Sequence, residues 1–309
     1  MALDALLDIA NRLAILPLRC SIMMLQDGQF DENSGSTFHG GWGWALKDTA
    51  PQLWQWGYGQ LEQGAIRPFA IFPPQGPNTW LKGDLRQFEI TLFGPMTEDL
   101  PAIIQSIKLL GEIGLGINRC QFELHQVTRV GPDGERLLWS TFAPLQLEQQ
   151  SAMFKLDDAF LTSAPLWCNL PPDRLLTQIN TRSRLHIKEQ GKALTQAPSA
   201  LTMSKAIARR LIELVDNVTD TEKVAVLENL SGIENTCLAW EHTQEQSIVR
   251  YSSRTRNRHH IEGLHGTWAY IGPGVLPLLT WLTIGRWIHV GGKTSFGFGA
   301  FNWQVAITQ

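Results

Sequence analysis

Thirteen residues near the carboxyl end of the chain combine several glycines with a Gly-Lys-Thr triplet, a composition that can bind phosphate. The segment reads HVGGKTSFGFGAF and spans 289–301. Backbone N–H groups of a glycine-rich loop can surround an anion, and a lysine adds positive charge. The residues that we expect to contact an anionic backbone here are Gly291, Gly292, Lys293, Thr294, Ser295, Gly297 and Gly299.

This segment does not fit the nucleotide-binding P-loop, although that motif also contains Gly-Lys-Thr. A P-loop requires a glycine five residues before Gly292, where this chain has Trp287. A P-loop also joins a strand to a following helix, whereas this sequence predicts a helix before the segment and a strand after it. We therefore expect no nucleotide cofactor. A tight turn between helix and strand remains the alternative to an anion-binding loop.

Two other segments carry basic residues at alternate positions, and an extended strand would place each set on one face. In RYSSRTRNRHH, at 250–260, the alternating residues are Arg250, Arg254, Arg256, Arg258 and His260. In TRSRLHIK, at 181–188, they are Arg182, Arg184, His186 and Lys188. Either segment alone could be a solvated strand face. Together with the glycine-rich segment they predict a positive surface for a nucleic-acid backbone, with RNA favoured.

The overall charge limits what this surface can be. The chain of 309 residues is 43% hydrophobic and 18% charged, with a formal net charge of −3. Because nucleic-acid-binding proteins are usually basic, binding would depend on locally concentrated charge. The cysteines form no CxxC pair, so the sequence predicts neither a zinc site nor a disulfide framework; they are Cys20, Cys120, Cys168 and Cys237.

No segment predicts export or a membrane span. The first residues, MALDALLDIANRL, carry acidic residues inside an amphipathic helical pattern, unlike a secretory leader. The longest apolar run, at 275–282, contains Pro277 and is too short to cross a bilayer. We expect a cytoplasmic protein that binds no membrane, metal ion or cofactor.

The hydrophobic pattern predicts strands and helices in two groups of similar order. After the first helix, the first group contains strands at 13–25, 83–94, 118–130 and 136–142, a short helix beginning at FHGGWGWAL and a helix at 98–113. Pro17 suggests an edge or a bulge in the first strand. The second group contains strands at 174–188, 237–243, 245–256 and 301–307, and helices at 200–218 and 276–288.

A proline-containing connection at 145–172 separates the two groups. The order of elements predicts an α+β protein of two tandem ferredoxin-like domains. We place the amino-terminal domain at 1–155 and the carboxyl-terminal domain, with the basic segments and the glycine-rich loop, at 156–309.

Four blocks, in order along the chain, resemble the CRISPR repeat-processing endoribonucleases of the RAMP superfamily. LLTWLTIGRWIHVGGKTSFGFGAF is similar to the family's terminal signature, which is a helix, a loop of the form GxGKxTxxGxG and a final strand. FHGGWGWAL is similar to the first-helix motif. GDLRQFEITLFGP and the following IIQSIKLLGEIGLGINRCQFEL resemble the strand–helix–strand block, and TQINTRSRLHIK resembles the strand that opens the second domain.

This resemblance implies two RRM-like domains that face each other across a cleft and bind a CRISPR repeat RNA, often a hairpin. It implies a metal-independent reaction in which the ribose 2′-OH attacks the adjacent phosphorus and leaves a 2′,3′-cyclic phosphate. The reaction needs a base for the 2′-OH, an acid for the leaving 5′-oxygen and a cation for the phosphorane. A CRISPR effector complex is the further partner that the resemblance implies.

His39 is the expected acid or base, because it lies in the block that resembles the family's first-helix motif. Histidine titrates near neutral pH, which suits proton transfer. Lys47, two turns farther along, is the expected charge-stabilising residue. The alternatives are a structural histidine and an exposed helix lysine. His259 and His260 are second candidates for catalysis.

Two positions depart from the family pattern. Active members often use a tyrosine upstream of the histidine, whereas the first tyrosine of this chain is Tyr58. His289 replaces the first glycine of the terminal loop. Two other functions therefore stay open: a non-catalytic RAMP subunit that holds guide RNA, and a protein-interaction scaffold with no role in RNA binding.

Overall fold

The chain forms two structural units, each with its own sheet and helices. The computed structural model describes residues 2–30, 34–59, 66–142, 153–163, 174–252 and 257–307. The amino-terminal unit comprises Ala14–Phe154 and Ser295–Gly297. The carboxyl-terminal unit comprises Met1–Leu13, Lys155–Thr294 and Phe298–Gln309. The first helix, α1 (Ala2–Arg12), thus belongs to the carboxyl-terminal unit, although the sequence analysis placed it in the first domain.

The amino-terminal unit is an antiparallel sheet with helices packed on it. Its strands are β1 (Ile15–Met24), β3 (Phe69–Phe72), β5 (Leu85–Phe93), β6 (Phe122–Gly131) and β7 (Gly134–Ser140), and a separate ladder joins β2 (Gly28–Gln29) to β4 (Thr79–Trp80). Its helices are α2 (Ser34–Thr49), α3 (Pro51–Tyr58) and α4 (Leu100–Ile113). The strand order β3-β5-β1-β6-β7 is that of a ferredoxin-like sheet with β7 added at one edge.

The prediction that Pro17 marks an edge or a bulge is wrong, because β1 is the central strand. β1 pairs with β5 along its whole length, whereas its pairing with β6 begins only at Leu18. Pro17 therefore lies beyond the end of the β6 ladder, where its missing N–H costs no hydrogen bond on that side. The one irregularity between β1 and β6 lies between Ser21 and Ile22.

Helix α2 is longer than the sequence predicted, since it begins at Ser34 rather than at FHGGWGWAL. The residues that it buries recur at helical spacing: Phe38, Trp42, Ala45 and Leu46. This apolar stripe packs against α4 and keeps the helix intact despite several glycines. The helix carries both His39 and Lys47.

The carboxyl-terminal unit repeats the same topology. Its four-stranded sheet contains β8 (Leu175–Thr181), β11 (Cys237–Ser252), β12 (Asn257–Ile271) and β13 (Phe301–Ile307), and a small ladder joins β9 (Lys188–Glu189) to β10 (Lys192–Ala193). Its other helices are α5 (Leu156–Ser163), α6 (Ala200–Leu214), α7 (Asp220–Glu228) and α8 (Val275–Ile288). The order β11-β12-β8-β13 matches β3-β5-β1-β6, so the prediction of a tandem ferredoxin-like α+β protein is confirmed.

The prediction of one basic strand face at 250–260 is wrong. The segment crosses the end of the long β11–β12 hairpin, in which Arg250 pairs with His259 and Tyr251 pairs with Arg258. Because directly paired positions share a face, Arg250 and Arg258 occupy positions on opposite faces. Arg254 and Arg256 lie outside the described residues. His260 is exposed on β12.

Candidate functional site

The glycine-rich segment forms a closed loop between α8 and β13. The backbone N–H of Val290 donates to the carbonyl of Gly299, and the N–H of Gly299 donates to the carbonyl of Arg184, each at 2.9 Å. His289 and Lys293 both have positive φ, at 62° and 63°. The loop therefore takes the left-handed conformation even at two positions that are not glycine.

The exposed tip of this loop consists of Gly291, Gly292 and Lys293, and it packs against the segment that follows β8. The N–H of Gly292 donates to the carbonyl of His186 at 2.9 Å. Gly291 has a φ of 75°, and a Cβ there would lie 2.5 Å from the same carbonyl oxygen. Only glycine fits this position without moving the backbone.

Four predicted RNA contacts of the loop are buried: Thr294, Ser295, Gly297 and Gly299. Ser295–Gly297 packs within the amino-terminal unit. Because protein atoms cover these four residues, the predicted RNA-binding surface of the loop is confined to its tip. The buried residues determine the conformation of the loop instead.

The segment after β8 retains the predicted alternation, although the strand itself ends at Thr181. Leu185 and Ile187 are buried, while Lys188 is exposed and His186 is partly exposed. Burial lowers the pKa of His186, and the charges of Lys188 and Lys293 lower it further, against the opposing effect of Glu262. A lysine from the loop tip and one from this segment therefore act on the same imidazole.

Two further pairs of basic groups lie near this segment. Burial and the charge of Arg182 lower the pKa of Arg286, which lies in the last turn of α8. Burial and the charge of Arg184 lower the pKa of His265, whose Nδ1 lies 2.8 Å from the Thr181 hydroxyl. This concentration of positive charge, in a chain of negative net charge, is typical of a phosphate-binding surface. The sequence analysis missed His265 and Arg286, because they are distant in sequence from the residues they approach.

His39 is almost fully buried in the amino-terminal unit, with 7% of its surface exposed. Its Nδ1 lies 3.1 Å from the carbonyl oxygen of Ser295. Its ring lies 4.1 Å from that of Phe296 and 5.0 Å from that of Tyr58, between centroids. Since a carbonyl only accepts, Nδ1 donates its proton in this contact.

Tyr58 holds the backbone next to this histidine. Its hydroxyl donates to the carbonyl oxygen of His39 at 2.9 Å, and the guanidinium of Arg67 lies 5.2 Å from its ring centroid. Burial raises the pKa of Tyr58, while Arg67 acts in the opposite direction. The structure therefore brings a tyrosine to His39, although it follows the histidine in the sequence.

The structure does not bring Lys47 to His39. Eight residues of helix separate the two, which corresponds to about 12 Å along the axis. The ammonium of Lys47 lies 5.2 Å from the ring centroid of Trp54 and 5.9 Å from that of Trp44. These are cation–π contacts on the exposed side of α2, and the charge-stabilising role of Lys47 stays a prediction.

A pair of helix glycines tests whether Tyr58 positions this site. A Cβ at Gly43 would lie 2.7 Å from the Tyr58 ring, whereas a Cβ at Gly40 meets nothing within 4 Å. We expect Gly40→Ala to raise the free energy of unfolding by about 0.5–1 kcal/mol through helix propensity. Gly43→Ala is expected to lower it by about 1–3 kcal/mol through overpacking and to displace Tyr58. Urea unfolding of both variants measures this; equal stability of the two would contradict the packing.

Within the described ranges, no three His, Cys, Asp or Glu side chains come together in a way that could hold a metal ion. None of the helices that the structure describes is both long enough and apolar enough to cross a membrane.

Comparisons with known proteins identify the relatives of this chain. Residues 175–301 match the family model of the CRISPR-associated endoribonuclease Cas6. Residues 57–151 match a second model, described as an N-terminal domain. None of the curated proteins matches the chain.

Solved Cas6 structures share its fold at low sequence identity. Thermus thermophilus Cas6 is 11% identical over 94% of this chain and 99% of that one, with a TM-score of 0.56. A Cas6-related protein from Pyrococcus furiosus is 12% identical over 94% and 98%, with a TM-score of 0.52. A partial Cas6-RT-Cas1–Cas2 complex is 14% identical over 95% of this chain and 46% of that one, with a TM-score of 0.63. The resemblance to the CRISPR repeat-processing endoribonucleases is confirmed.

Proposed function

We propose that this relative of the Cas6 endoribonucleases cuts CRISPR repeat RNA in precursor transcripts and so releases guide RNA in the cytoplasm. The proposal rests mainly on one observation, which is that the segment similar to Cas6 is also the segment that carries the basic surface. The segment that matches the Cas6 family, 175–301, contains the exposed Gly-Gly-Lys tip and the basic residues gathered around it. A positively charged surface with exposed glycine main chain is suited to bind the phosphates of RNA.

The RNA is held mainly by charge. In this proposal Lys188 and Lys293 bind phosphate oxygens at the loop tip, and Arg182 and Arg184 extend the contact along the segment that follows β8. The residues Arg250, Arg254, Arg256, Arg258 and His260 of the segment 250–260 add further contacts. The repeat binds either as a hairpin or as a single strand, and a CRISPR effector complex is a further partner.

The chemistry that we propose needs no metal ion or cofactor. The ribose 2′-oxygen loses its proton and bonds to the adjacent phosphorus, and the bond from phosphorus to the 5′-oxygen breaks. The products are a 2′,3′-cyclic phosphate and a 5′-hydroxyl. His39 transfers a proton in this reaction as its acid or base, and it does so through Nε2, because Nδ1 contacts the Ser295 carbonyl.

The second candidate is a non-catalytic subunit that holds guide RNA. The burial of His39 favours it, because an imidazole with 7% exposure must be uncovered before it can touch a substrate. The same basic surface would serve this function, so RNA binding alone does not separate the two.

A cleavage assay separates them. The chain is mixed with radiolabelled repeat RNA from the source genome, in EDTA, and both bound and cut fractions are measured. The proposal predicts one cut at a fixed position. Tight binding without a cut would favour the RNA-holding subunit, and neither binding nor cutting would contradict both.

A further inference from the structure

We propose that His186 is a catalytic residue, a general base that takes the proton of the attacking 2′-OH. The inference rests on the proposed ribonuclease function and adds to it a group in the carboxyl-terminal unit. In this step the 2′-OH proton moves to Nε2 of His186 and the 2′-oxygen bonds to phosphorus. The bond from phosphorus to the 5′-oxygen breaks, and the 5′-oxygen takes a proton from a general acid, the role that this assignment leaves to His39.

The hydrogen bonds of His186 fix the tautomer that this step requires. Its Nδ1 lies 2.7 Å from the backbone carbonyl oxygen of Glu262. A carbonyl accepts only, so Nδ1 carries the proton and Nε2 carries the lone pair. The contact to a backbone atom of β12 also fixes the orientation of the ring, which a proton-transfer group needs.

Gly292 of the glycine-rich loop lies beside the Nε2 side of this ring. A Cβ at Gly292 would lie 3.2 Å from Cδ2 of His186, the ring carbon bonded to Nε2. Gly292 itself is exposed, and its missing side chain keeps space beside the imidazole. The ring of buried Phe298 packs edge to face against the imidazole, with 6.4 Å between the two centroids. The Glu262 carbonyl and Phe298 thus hold the ring, and its partly exposed surface is where we place the ribose.

The charges around His186 suit an anionic substrate and a neutral base. Lys188 and Lys293 are exposed, and the carboxylate of Glu262 is the other titratable group that acts on the ring. The two lysines can bind the scissile phosphate, which would place a 2′-OH beside the imidazole. Burial and the same lysines lower the pKa of His186, so the ring is neutral at neutral pH.

Substitution by asparagine separates a catalytic role from a structural one. His186→Asn keeps an N–H donor near the position of Nδ1 and can still bond to Glu262, but it has no Nε2. We expect single-turnover cleavage to fall by about 10²-fold or more, with the Kd for repeat RNA changed less than threefold. The acidic limb of the wild-type pH–rate profile should also disappear in the variant. His242→Asn, at an exposed histidine stacked on Trp240, is the matched control.

Comparing cleavage by the wild-type protein and by His186→Asn separates a failure of the His186 assignment from a failure of the proposed ribonuclease function. If the wild-type protein cuts repeat RNA and His186→Asn cuts it at the wild-type rate, the base assignment is overturned and the ribonuclease function stands. Loss of cleavage together with loss of RNA binding would overturn it in favour of a structural or binding role. If the wild-type protein does not cut the RNA, both proposals are overturned.

Discussion

Replacing His39 by alanine is expected to slow repeat RNA cleavage by about 10²- to 10⁴-fold, the range that positioned acid–base catalysis supplies. The Kd for the RNA should change little, because the proposal assigns RNA binding to the basic residues of the carboxyl-terminal unit. Single-turnover rates and a binding titration measure the two effects separately. His39→Asn, which keeps a donor toward the Ser295 carbonyl, should lose as much activity as alanine does.

His125→Ala is the matched control for this prediction. His125 lies on β6 of the same unit, with its Nε2 3.6 Å from a carboxylate oxygen of Glu123, and it has no part in the proposed site. Its substitution should leave the cleavage rate unchanged. Full activity of His39→Asn would contradict a catalytic role for Nε2 and would assign to His39 the structural role of contacting the Ser295 carbonyl.

Neutralising Lys293 of the loop tip together with Lys188 of the neighbouring segment should weaken RNA binding and reduce its dependence on salt concentration. Each phosphate contact contributes about 0.7 to the slope of log Kd against log salt concentration on single-stranded nucleic acid. The double change Lys188→Gln with Lys293→Gln should therefore reduce that slope by about 1.4, and weaken binding about 10- to 30-fold at 0.1 M salt. Fluorescence anisotropy at several salt concentrations measures both quantities.

A second double variant controls for net charge. Lys205 on α6 is exposed and Lys223 on α7 is paired with Asp220, so neither belongs to the loop tip. Changing both to glutamine alters the net charge by the same amount and should leave the slope unchanged. Equal weakening by the two double variants would show that general charge, rather than the loop tip, attracts the RNA.

Local sequence patterns predicted the helices whose buried apolar residues recur at helical spacing. The apolar spacing predicted α4 and α8 closely, and the fold class followed from the order of elements. Helix α7 was missed, although Thr219 and Glu222 form a capping box, a signal that is local and readable. The pairing of β11 with β12 was missed, because the basic alternation of 250–260 reads as one strand and the segment contains no glycine or proline to interrupt it.

The candidate site depended on pairs that are distant in the chain. The sequence predicted the Gly-Gly-Lys tip and the alternation around His186, because both are encoded in neighbouring residues. It did not predict that Glu262 fixes the ring of His186, or that Tyr58 reaches the His39 carbonyl. These contacts arise from the packing of strands and helices, for which a single sequence carries no direct signal.

The most direct test of the account is cleavage of a repeat RNA that carries one 2′-deoxyribose immediately before the scissile phosphate, with EDTA present. The account predicts that the all-ribose RNA is cut once, to a product with a 2′,3′-cyclic phosphate, and that the deoxy RNA is bound equally well but stays intact. Cleavage of the deoxy RNA at the same position would contradict attack by the 2′-OH and with it the proposed mechanism.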